Sequence, residues 1–120
     1  MITGLGIDIV EIERMQQLVD NERFIARVLT ENERQLLKEV GGRKRQVEFL
    51  AGRYACKEAF SKAYGTGLGP VSFHDLEILR NEKGAPIFTK SPFDGAVFVS
   101  ISHTDTLAMA EVILSETSTH

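Results

Sequence analysis

The chain has 120 residues, 42% of them hydrophobic and 26% charged, with a net charge of −3. That is one domain, 1–120, able to bury about two-thirds of the surface its unfolded chain exposes. The weak negative charge gives no reason to expect nucleic acid or a membrane as a bulk electrostatic partner. Cys56 is the one cysteine, so no internal disulfide forms, which fits a reducing cytoplasm. The opening MITGLGIDIV has neither a basic leader nor a cleavage site and is too short to span a bilayer, so neither export nor anchoring is expected.

Residues Ile2 to Val10 alternate as a strand, with Thr3, Leu5, Ile7 and Ile9 on one face and Gly4, Gly6, Asp8 and Val10 on the other. Aspartate is disfavoured in mid-strand, and two glycines on its face leave space beside it. Asp8 therefore has two readings. It caps a helix beginning near Glu11, or it presents a carboxylate to an open site, where together with Glu58 it could hold a hard cation.

From Glu11 the apolar residues Ile12, Met15, Leu18 and Val19 recur at helical spacing, and after a break at Asp20-Asn21 so do Phe24, Ile25, Val28 and Leu29. Arg14, Arg23 and Arg27 accompany these runs, either as a solvated face or as a docking stripe for an acidic protein. Thr30 to Glu33 spells a capping box, so a third helix runs to about Val40 and stops at Gly41-Gly42. Arg43-Lys44-Arg45 then precedes the central helix, where the macrodipole favours anions. These cations are a solvated loop or the seat of a phosphate-bearing ligand.

The run Val47 to Pro70, a helix-forming segment that stops in a glycine loop, is the centre of the chain. Phe49, Cys56, Phe60 and Ala63, flanked by Gly52 and Ala59, form a stripe facing a core. Ala51, Ala55, Glu58 and Lys62 lie opposite, so the helix is apolar almost all round. Glu58 and Lys62 are either a surface i,i+4 pair or charges kept for a ligand, because an unpaired charge on a buried helix is costly. Cys56 reads as packing. Gly65-Thr66-Gly67-Leu68-Gly69-Pro70 ends the helix with an expected left-handed glycine and offers amides that can approach an oxyanion.

After Pro70 the pattern changes to strands. Val71-Ser72-Phe73 leads to Leu76 to Leu79, and Asn81 to Pro86 turns into Ile87-Phe88-Thr89 as a hairpin. Ala96 to His103 and Leu107 to Leu114 follow, joined by a turn at Thr104-Asp105-Thr106. Short connections make the sheet antiparallel. Val97, Val99 and Ile101 face one way and Phe98, Ser100 and Ser102 the other. His103 sits where a strand meets a turn, a position that aims a side chain into a site. Ser115 to His120 reads as a polar tail.

With GIDIVEIER, then FLAGRYACKEAFSKAYGTGLG, then SISHT, the sequence resembles the holo-acyl carrier protein synthases, the short bacterial branch of the phosphopantetheinyl transferases, from residue 1 to about Leu114. The resemblance implies an α+β fold and transfer of phosphopantetheine from coenzyme A to a serine of apo acyl carrier protein, leaving adenosine 3′,5′-bisphosphate. It implies Asp8 and Glu58 as Mg²⁺ ligands, with Lys62 neutralising the pyrophosphate and Glu58 or a metal-bound water as the base. Gly65, Gly67 and His103 match positions lining the coenzyme A site, and Lys44 and Arg45 are candidates for its 3′-phosphate. Arg14, Arg23 and Arg27 match the region used against an acidic carrier protein. It further implies a homotrimer with active sites between subunits, in which Phe98 is covered by a neighbour.

The competing class is an idle binding module for coenzyme A or a carrier protein. Such a module has no need of two carboxylates beside a pyrophosphate, which they repel unless a cation intervenes.

Overall fold

The computed structural model describes residues 1–65 and 71–116. In chain order the elements are β1 (Ile2–Glu11), α1 (Ile12–Leu18), α2 (Glu22–Val28), α3 (Glu31–Glu39), α4 (Arg43–Tyr64), a 3-10 turn (Phe73–Asp75), β2 (Glu77–Arg80), β3 (Pro86–Lys90), β4 (Ala96–His103) and β5 (Leu107–Ser115). The fold is α+β, as expected. The strands form two antiparallel sheets rather than one, a three-stranded β1-β5-β4 and the β2-β3 hairpin. Asn81 closes the hairpin by accepting the Lys83 and Ala85 amides on its side-chain oxygen.

Helix α4 lies on the inner face of the larger sheet, and α1 and α3 pack against it. Its apolar stripe meets the strands as anticipated. The opposite face is buried as well, with Ala51 and Ala55 fully covered. The glycines of β1 do not leave an open space for a ligand. The α4 backbone occupies it: a Cβ on Gly6 would lie 2.0 Å from the Ala59 carbonyl oxygen, and one on Gly4 would lie 2.3 Å from that of Ala63. Only a strand without side chains there lets helix and sheet come so close.

Three local expectations are corrected. Arg43-Lys44-Arg45 is the first turn of α4, not a loop ahead of it. Gly42 supplies the N-cap at φ 83°, a region open to glycine, so the helix starts at once after the glycine pair. Asp8 caps nothing: the N-cap of α1 is Glu11, with no side-chain cap bond. Phe73–Asp75 is a 3-10 turn instead of a strand lead-in. The Thr30–Glu33 capping box is formed. Of the expected tail, Ser115 ends β5 and the Glu116 amide donates to the Met1 carbonyl at 3.0 Å, while residues 117–120 lie outside the described residues.

Inside the core sits an ion pair that the pattern did not signal. Lys57 and Glu33 are both fully buried, with Lys57 Nζ 2.6 Å from Glu33 Oε1. The ammonium also donates to the Val28 carbonyl at 2.7 Å and the Phe73 carbonyl at 3.0 Å. Glu33 accepts the Thr30 amide on Oε1 and the Ile78 amide on Oε2, each at 2.8 Å. Every strong hydrogen-bonding capacity is used, the condition under which a buried pair is tolerated. Cys56, adjacent in sequence, is inert packing, and burial pushes its thiol up to about 12.

Close approach of β1 to α4 makes Gly6 a sensitive position. Gly6→Ala is expected to cost about 3 kcal/mol in denaturant unfolding, because a backbone carbonyl must move. Gly41→Ala, with nothing within 4 Å of its new Cβ, should stay within about 0.5 kcal/mol of the parent. Equal stabilities for the two variants would show that the helix–strand contact can relax.

Candidate active site

Asp8 leaves β1 on its inner face, and α4 carries Glu58 and Lys62 one turn apart. Lys62 Nζ bridges back to the strand, 3.0 Å from Asp8 Oδ1 and 3.0 Å from the Ile7 carbonyl oxygen. Lys62 thus pairs with Asp8 and not with Glu58, whose carboxylate makes no hydrogen bond or ion pair among the described residues. Burial, and next the negative charge of Asp8, raise the Glu58 carboxyl above the ordinary carboxylate range, against smaller opposing effects of Lys62 and Arg14. The two carboxylates therefore share one field.

A cation fits that arrangement. Two like charges in mutual repulsion, one without a partner among the described residues, gain from a hard ion between them. Among the described residues no group of three or more His, Cys, Asp and Glu could hold a metal. Mg²⁺ is an ion that takes one or two protein carboxylates and completes its shell with water and phosphate oxygens. Gly65 ends α4 in the left-handed region at φ 84°, as expected. Gly67 lies outside the described residues.

The other predicted binding residues gather at the opposite end of α4. Arg45 and His103 line a hollow of about 490 Å³ with Glu48, Arg53, Arg80 and Gly84. His103 Nδ1 is 3.6 Å from Glu48 Oε2. Lys44 lines the adjoining hollow, which shares Glu48, and pairs with Asp105 at 3.4 Å. Arg53 and Arg80 were not anticipated here. The Arg53 guanidinium stacks 4.3 Å above Phe49 and donates to the Ile78 and Leu79 carbonyls. Phe49 and Arg53 are i,i+4 neighbours, a spacing that could have revealed the pair.

Arg14 and Arg27 share an aromatic shelf. Arg14 lies 5.3 Å above Tyr54 and Arg27 5.8 Å above Phe73, and Tyr54 packs against both Phe73 and Phe24. Arg23 is exposed on α2.

The profile of the 4′-phosphopantetheinyl transferase superfamily matches residues 4–114. A Streptococcus agalactiae holo-[acyl-carrier-protein] synthase is 56% identical over 117 residues, covering 97% of this chain and 98% of that protein. The chain belongs to the holo-[acyl-carrier-protein] synthases. The Enterococcus faecalis synthase is 54% identical over 95% of this chain and 97% of its own. Among solved structures, the Bacillus anthracis synthase in complex with CoA (3′,5′-ADP) superposes with a TM-score of 0.89 at 45% identity, covering 98% of this chain and 99% of that one. The Helicobacter pylori synthase in complex with coenzyme A gives 0.81 at 36% identity, covering 92% and 99%. A synthase is a transferase, and the α+β fold of these structures is the one seen here.

The shared field of the carboxylates is directly measurable. In metal-free protein, the NMR titration midpoint of Glu58 should lie above that of free glutamate and fall in Asp8→Asn. Because that midpoint is raised, the unfolded chain loses its Glu58 proton first, and the contribution of this group to stability declines as pH rises through the interval between the two midpoints. An unchanged midpoint in Asp8→Asn would mean that the carboxylates do not sense each other.

Proposed function

We propose that this chain transfers phosphopantetheine from coenzyme A to a serine of apo acyl carrier protein, with Mg²⁺, leaving adenosine 3′,5′-bisphosphate. The observation that carries the reading is the placement of Asp8, Glu58 and Lys62, two carboxylates in one field beside an ammonium. Asp8 and Glu58 would hold the ion, which when bound offsets the charge of the pyrophosphate. Lys62 faces the leaving phosphate and stabilises the charge that develops on it. The serine oxygen forms the new P–O bond as the bond to the adenosine-bearing phosphate breaks. Glu58 and a water held by the ion would be the two candidates for taking the serine proton.

Arg45, with Lys44 from the adjoining hollow, is the proposed contact to the 3′-phosphate, and His103 and Gly65 would line the rest of the coenzyme A site. Arg45 and Glu58 are 13 residues apart on one helix, roughly 20 Å at 1.5 Å per residue. A 3′-phosphate and a pyrophosphate are separated by one ribose, so one nucleotide cannot reach both places within a single chain. The reading therefore takes each half-site from a different copy. The outer face of the larger sheet suits that assembly: Leu5, Ile9 and Phe98 are about 60% exposed and Ile7, Leu107 and Met109 about 40%, a largely apolar surface interrupted by Glu111. We infer a homotrimer closed through this face, with Phe98 under a neighbour.

The acidic carrier protein would dock on Arg14, Arg23 and Arg27, which present positive charge on a chain whose net charge is −3. No helix of the described residues is long and apolar enough to cross a membrane, and a free Cys56 fits the proposed cytoplasmic setting.

The test is the intact mass of apo carrier protein after incubation with the chain, coenzyme A and Mg²⁺, where a phosphopantetheine gain is expected. Asp8→Ala and Glu58→Ala should each lower the rate by about a hundredfold or more at near-parental melting temperature. A variant that keeps the parental rate would remove its residue from the site.

Assembly is checked separately. Ile9→Lys should convert the oligomer to monomer in light scattering and abolish transfer, since both half-sites are then parted. An active monomer would overturn the shared-site reading.

A further inference from the structure

Lys57 and Glu58 are consecutive on α4 and point to different places, Glu58 to the site and Lys57 to the helical layer that carries the arginines. The Lys57 ammonium grips the Val28 carbonyl, one residue beyond Arg27 at the end of α2, and the Phe73 carbonyl in the 3-10 turn. The Phe73 ring supports Arg27 and touches Tyr54, the ring under Arg14. Glu33 fixes the same ammonium from α3 while holding the Ile78 amide of β2. One buried pair therefore ties α2, α3, the 3-10 turn and β2 to the residue next to Glu58.

We propose that Lys57 and Glu33 are positioning residues for carrier delivery, setting the distance between the arginine-bearing surface and Glu58. The inference rests on the transferase reading above. Neither side chain is exposed, so neither touches a substrate; both act through the backbone at Val28 and Phe73. The chemistry of the pair fits this task better than simple packing. Apolar residues of similar volume hold elements together at least as well as a buried ion pair, but they cannot fix two carbonyls at hydrogen-bond distance. Directional bonds set where α2 ends; dispersion contacts let it slide.

The decisive variant is Lys57→Met/Glu33→Leu, which removes both charges together and strands neither. In variant protein that remains folded by circular dichroism, carrier KM should rise about tenfold while coenzyme A KM stays unchanged. A stable double variant with unchanged carrier KM, or one in which both KM values rise together, overturns the proposal. If the double variant does not fold, a cycle of Glu33→Gln and Arg27→Ala answers the question. Positioning of Arg27 predicts that Glu33→Gln raises carrier KM in the parent and has little further effect once Arg27 is gone. Additive effects overturn it. Absence of transfer by the parent protein overturns the transferase reading and this inference with it, whereas transfer with insensitive variants overturns this inference alone.

Discussion

The buried pair of Lys57 and Glu33 is the constraint on which the helical layer depends. Taking both charges out of water costs several kcal/mol per ion, and removing one partner alone costs about 3 to 5 kcal/mol because the other is stranded. The structure offsets this by giving the ammonium two carbonyls besides the carboxylate, and the carboxylate two amides besides the ammonium. Those partners come from the end of α2, the start of α3, the 3-10 turn and β2. Five segments must therefore arrive together for the pair to be satisfied. A core of leucines would tolerate several arrangements; this one permits few.

The second constraint is the distance between β1 and α4. Gly4 and Gly6 let the strand backbone press against Ala59 and Ala63, which brings Asp8 into the field of Glu58. Lys62 then reaches across to Asp8, so the helix that provides one carboxylate also steadies the other. A site built from a rigid strand and a central helix is held more firmly than one built from loops. The same helix separates that site from Arg45 and His103. Its length keeps Asp8, Glu58 and Lys62 at one end and Arg45 and His103 at the other, which is why the proposed function draws on a neighbour.

The exposed apolar sheet face follows from the strand arrangement. Strands β1, β5 and β4 alternate, so every residue that packs on α4 leaves its neighbour pointing outward. In this chain those outward residues are mostly apolar, with Glu111 interrupting them on the central strand between Ile7 and Ser100. A small domain with one helix layer has no second layer of its own to cover this face.

Much of this was legible in the chain. Alternation gave β1 and its faces, Thr30 and Glu33 gave the start of α3, and the turn residues gave the β2-β3 hairpin and the β4-β5 connection. These are local signals, spaced by the period of the element itself. Asp8 stood out because a carboxylate in mid-strand beside glycines is locally unfavourable. The purpose of those glycines could not be read, since an absent side chain looks the same whether a ligand or a helix fills the space. Helical spacing sets Lys57 about 100° from Glu58, but nothing in the pattern named a partner for it. Only the packed structure sends Lys57 to Glu33, 24 residues away, and leaves Glu58 without a partner among the described residues. Sequence determined the elements and the motif, because those follow from neighbours along the chain. Tertiary structure decided which charges are buried, which are shared and which face a site, because each depends on residues that only folding brings together.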